Sequence, residues 1–201
     1  LIQLARDTQR GWLAREAVSA VNSSGDPRAR TYLREVVRRA DAPDDVLASA
    51  VRTLGADYAT GEDIKIIRDS WATLPGEKSR EAAMQSIAQF GGAENVRWMV
   101  GVARDANQPV KNRVRAVQHA YRGGSSVSDL VKIYDENTDP QIKEAVMTAL
   151  VDSGEKTAID KLMELARRDE SLNMRRRAIT KLGQSSDQRV KKFLTDLAEV
   201  R

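Results

Sequence analysis

An alanine with a bulky aliphatic beside it, and an apolar residue four places on, returns down this chain at a nearly constant interval. It is read at Ala17-Val18-x-x-Val21, Ala50-Val51-x-x-Leu54, Ala83-Met84-x-x-Ile87, Ala116-Val117-x-x-Ala120, Ala145-Val146-x-x-Ala149 and Ala178-Ile179-x-x-Leu182. The steps between the alanines are 33, 33, 33, 29 and 33 residues, and at the fourth step Leu150 competes with Ala149 for the matching position. A period of this size means a stack of like units, each too thin to bury its apolar face alone, and not a globular domain around one central site.

Each unit reads as two helices and a tight turn. The first, the A helix, carries the alanine. It stops at Gly25, Gly55, Gly91-Gly92, Gly123-Gly124, Gly154 or Gly183, where glycine is expected to take the left-handed conformation that ends a helix. A polar start then opens the B helix: Asp26-Pro27, Gly61-Glu62-Asp63, Ala93-Glu94, Ser126-Val127-Ser128-Asp129, Glu155-Lys156 and Asp187-Gln188. Three- and four-residue apolar steps follow, as in Leu33, Val36 and Val37, or Ile159, Leu162, Leu165 and Ala166. That spacing gives a helix one buried face. No stretch keeps a period of two, so no sheet is expected. Alanine has a physical reason at the crossing points, because a small side chain lets neighbouring helix backbones approach closely.

The repeats fall near residues 9–40, 41–74, 75–106, 107–138, 139–169 and 170–201, after a segment 1–8 that reads as the end of a preceding helix. Residues 1–201 are thus expected to form one stack. The chain opens on Leu1, so it is read as part of a longer protein. Aromatic residues are only 4% of the chain and charged residues 31%, a balance suited to thin layers that expose much surface. Cysteine is absent, which removes disulfides and thiolate ligands. Residues 1–100 hold 14 cations and 14 anions and the remainder 19 against 15, so the net charge of +4 lies wholly in the second half. No run approaches the roughly 18 to 20 apolar residues of a membrane span, and the compartment is left open.

Asp139-Pro140-Gln141-Ile142-Lys143-Glu144-Ala145-Val146-Met147-Thr148-Ala149-Leu150 resembles the unit of a HEAT repeat of the short bacterial type, the phycobilisome-lyase HEAT-like repeat. Val46 to Gly55 and Met174 to Gly183 resemble it less closely. The resemblance implies an all-α fold, a right-handed α-solenoid of about six two-helix repeats whose B helices line a concave face.

Little in the chain marks chemistry. His119 is the only histidine, with no second ligand to join it in a metal site. The double glycines lack the frame of a phosphate loop. The B helices are more informative. Opposite their apolar stripe they carry Arg30 and Arg34, then Arg68, Arg97 with Trp98, Lys132, Lys161 and Lys191. These are the candidate partner-binding residues, although a mixed, solvated helix face gives the same pattern. A second basic cluster is Arg167, Arg168, Arg175, Arg176, Arg177 and Lys181.

The expected function is a non-catalytic scaffold, not an enzyme, with no cofactor, that binds another protein or an acidic peptide. A nucleic-acid-binding module resembling the HEAT-like DNA glycosylases is the alternative, followed by a chromophore-lyase-like subunit.

Overall fold

The computed structural model describes residues 16–18, 20, 28–39, 41–56 and 58–199. The expectations for residues 1–8, Val21, Gly25 and Asp26-Pro27 lie outside them. Every regular element among the described residues with defined bounds is helical. They are α1 (Ala29–Val37), α2 (Asp44–Leu54), α3 (Gly61–Asp69), a 3-10 turn at Trp71–Thr73, α4 (Glu77–Phe90), α5 (Ala93–Arg104), α6 (Val110–Arg122), α7 (Val127–Asp135), α8 (Pro140–Ser153), α9 (Lys156–Arg168), α10 (Leu172–Leu182) and α11 (Gln188–Glu199). Two compact units hold residues 1–95 and 96–201.

In the first unit α2 and α4 pack side by side, α1 lies on α2, α3 lies on α4, and α1 meets α3. In the second, α6, α8 and α10 form one layer and α7, α9 and α11 the other, with α8 and α9 touching partners in both. Each unit is therefore a stack of helical hairpins, with the A helices in one layer and the B helices in the next. The alternation follows from the sequence: each helix has one apolar stripe, and a helix of 9 to 14 residues draws its stability from burying that stripe.

The alanine ruler is really a distance from the helix start. Counted from the N-cap, the seventh residue of each A helix whose start is described is fully buried: Ala50 from Pro43, Ala83 from Gly76, Ala116 from Pro109, Val146 from Asp139 and Ala178 from Ser171, all at 0% exposure. In α8 the position thus belongs to Val146, with Met147 and Leu150 beside it, and Ala145 is only half-buried. The true steps from Ala50 are 33, 33, 30 and 32 residues. Asp139 causes the change. Its carboxylate caps the backbone N–H of Gln141 at 2.8 Å, with Pro140 as the first helical residue. That fixes the start of α8. A residue one place earlier is turned about 100° around the helix, so Ala145 faces away from the seam.

The seam between α2 and α4 has no slack at Ala83. Replacing it with leucine is expected to cost about 1–3 kcal/mol by overpacking, read as a lower urea midpoint; an unchanged midpoint would show a looser layer. Gly154 adopts the left-handed conformation at φ 62° and closes α8 as expected. Gly55 does not: its φ is −88°. Its reason is space, since an added Cβ would drive into Ser86 of α4.

A further link runs from one A helix to the next. Gly76 offers α4 no side-chain cap, and Asp44 of α2 supplies one. It accepts from the backbone N–H of Lys78 at 3.1 Å and Ser79 at 3.0 Å, and from the Ser79 hydroxyl at 2.5 Å. Burial pushes the Asp44 carboxyl up, but these donors outweigh it and hold the group below the usual range. A side chain at Gly76 would collide with that carboxylate.

Candidate functional site

The B-helix surface is built by its caps. Thr60 opens α3 with a capping box: its hydroxyl accepts from the Asp63 backbone N–H, and the Asp63 carboxylate accepts from the Thr60 backbone N–H at 2.8 Å. Ser126 opens α7 by accepting from the Asp129 N–H at 3.1 Å. These starts set which residues face outward and which meet the neighbouring repeat.

Arg30 and Arg34, one turn apart on α1, converge on Asp63. Arg30 donates to it through Nε at 2.8 Å and Nη2 at 2.5 Å, and Arg34 through Nε at 2.7 Å. Arg34 also pairs with Glu62 at 2.8 Å, and Arg30 donates to the Tyr58 carbonyl at 2.6 Å. The Asp63 side chain is 0% exposed. Burial alone would raise its carboxyl. The hydrogen bonds from Arg30, from the Thr60 side chain and backbone, and from Arg34 overcome that and bring it to about 2. Arg34 is held above its ordinary value, chiefly by the hydrogen bond to Asp63.

The same rung recurs. Arg68 donates to Glu94 at 2.7 Å and to Asn95 at 3.0 Å in the first turn of α5. Arg104 grips Glu136 through two bonds of 2.5 and 2.7 Å. Lys161 lies 3.8 Å from Asp135 and 3.4 Å from Glu164. Arg189 reaches Asp160 at 2.5 Å. On the A side Arg177 pairs with Glu144. Most of these partners stand one repeat apart, so the cations clamp successive hairpins.

Of the candidate residues, the fold therefore brings Arg30 and Arg34 together on one carboxylate and places Arg68 and Lys161 in ion pairs. Arg97, Lys132 and Lys191 are exposed, without an ion pair among the described residues, and Trp98 is half-buried. They are spread over α5, α7 and α11 and make no single cluster. The other basic cluster divides between layers: Arg167 and Arg168 end α9, whereas Arg175, Arg176 and Arg177 ride on α10.

What sequence reasoning missed is a pair of discrete cavities on the B-helix side of the second unit. An open cavity of about 370 Å³ lies between α9 and α11. A second, of about 300 Å³, lies between α7 and α9, and the two share Glu164 and Arg168. Tyr134 lines the latter. Its hydroxyl donates to Asp169 at 2.6 Å and Lys143 Nζ sits 4.5 Å from its ring centre. Burial, then the hydrogen bond to Asp169, raises the phenol far above its usual range and keeps it neutral. The one signal for these cavities was the i, i+4, i+7 spacing of Asp160, Glu164 and Arg167 beside the buried stripe of α9. Among the described residues no group of three His, Cys, Asp or Glu side chains is placed to hold a metal ion. No helix there is long and apolar enough to cross a membrane.

Stacked helical hairpins clamped by ion pairs between repeats define a helical-repeat protein. Residues 127–200 match the family model of HEAT repeats, a finding that supports a HEAT-repeat family for this fold. No curated protein sequence matches it closely enough to count as a relative.

Proposed function

We propose that this HEAT-repeat chain is a non-catalytic scaffold that binds another protein through the B-helix face of residues 96–201. HEAT repeats commonly serve as protein-interaction scaffolds. The observation that carries the reading is the pair of adjoining open cavities across α7, α9 and α11. Concavities on a repeat surface are where such proteins take their partners.

The nucleic-acid reading draws less support. Arg30, Arg34, Arg68 and Lys161 already face carboxylates, and a phosphate backbone is held by cations free to replace its counterions. Nothing on the face marks a pigment contact, so a lyase role gains nothing from it.

A photo-crosslinking amino acid tests the proposal. Placed at Lys132 on α7, it is expected to join a defined protein in an extract of the source cells; placed at Lys111 on α6, it is not. Equal labelling from both sites, or none from either, would sink the scaffold reading.

A further inference from the structure

The cavity between α9 and α11 has a definite chemical character. Asp160, Glu164 and Arg167 stand on α9 at helical spacing, facing Arg189, Phe193 and Asp196 on α11. Both rows span seven residues, so the trough is about 11 Å long, room for three or four residues of an extended peptide at roughly 3.3 Å each.

Its charges are not balanced. Arg189 is taken by Asp160 and by Asp187, and Glu164 faces Lys161. Arg167, Arg168 and Lys192 are left without a carboxylate partner among the described residues, against Asp196 alone. Arg167 lies over the Phe193 ring at 4.6 Å from its centre, which holds one of these cations at the cavity wall. The floor is apolar: Met163 is half-buried, and Phe193 is 5% exposed.

Building on the scaffold reading, we propose that this cavity takes an acidic peptide segment of the partner carrying one bulky apolar side chain. The apolar group lies over Met163 and Phe193. Its flanking carboxylates meet Arg168 and Lys192, with Arg167 above. Asp196 repels acid at its own end and so sets the direction of the peptide. A nucleic-acid strand fits less well, because its regularly spaced phosphates would meet Asp196.

A fluorescein-labelled Glu/Asp-rich peptide with one central leucine is the probe, read by anisotropy at about 50 mM salt, where exposed charges are weakly screened. Saturable binding is expected. The double charge reversal Arg168→Glu with Lys192→Glu should weaken it by about tenfold or more, and exchanging the peptide's leucine for serine by about tenfold. Lys111→Glu, on α6 and outside the cavity, should leave it unchanged. If the double variant melts early, the single reversal of exposed Lys192 gives the same reading. The proposal falls if the peptide does not bind, if the reversals bind like the parent, or if an oligothymidylate of equal charge binds more tightly than the peptide. Loss of peptide binding with crosslinking from Lys132 intact overturns the cavity assignment alone; loss of both overturns the scaffold as well.

Discussion

Replacing Asp63 with alanine is expected to lower the unfolding free energy of the unit formed by residues 1–95 by about 3 kcal/mol. One carboxylate there joins two repeats and caps a helix. Its removal leaves the Thr60 backbone N–H uncapped and turns Arg30 and Arg34, whose side chains are 33% and 22% exposed, toward a site with no anion. The partial exposure of the arginines keeps the loss at the low end of the range for a broken buried pair, since water relieves part of their charge. Denaturant unfolding followed by circular dichroism measures it. A loss below about 1 kcal/mol, the size of an ordinary surface pair, would show that Asp63 is not the hub.

Acid should act at the same place. The folded carboxyl sits at about 2, below its ordinary 3.8. The folded state therefore binds that proton less readily than the unfolded chain does. The stabilisation is present in full above about pH 4 and drains away as pH falls toward 2, a contribution of about 2 kcal/mol. In Asp63→Ala the acid limb of the stability curve between these values should be correspondingly flatter. An unaltered limb would mean that other carboxylates govern acid unfolding.

The second large effect contrasts two neighbours. Val146→Asp should cost about 4 kcal/mol or more and leave the unit of residues 96–201 largely unfolded, because it buries an unpaired carboxylate among Met147, Ile142 and Leu150, all 0% exposed. Ala145→Asp, one residue earlier, should cost less than about 1 kcal/mol. Ala145 borders an opening lined by Gln118, Tyr121, Arg122 and Asp152, where a carboxylate keeps its water. Soluble yield and urea midpoints of the two variants decide the matter, and equal costs would undo the register set by the Asp139 cap.

That contrast shows where sequence reading reached its limit. Hydrophobic period and alanine recurrence located every A helix with defined bounds among the described residues, yet at α8 the alanine pointed to one register and the cap set another. A buried position is defined by angle around a helix counted from its start, and Asp139-Pro140 starts α8 so that valine falls on the seam. Gly55 taught the same lesson. It was legible as a helix end, but its reason is the nearness of Ser86, thirty-one residues away in sequence.

The site was less legible. Sequence spacing named the outward cations on the B helices, but a side chain's partner one repeat away depends on how hairpins stack. Only the stacked structure shows that Arg34 and Arg68 are bound to acids while Arg168 and Lys192 stand open beside Phe193. The sequence alone determined an all-helical repeat with its layers and helix starts, because period, caps and glycines act within a few residues of chain. The tertiary structure alone decided which charges are spent holding hairpins together and which face no carboxylate among the described residues, because ion pairs and cavities form between residues that only folding brings within a few ångströms.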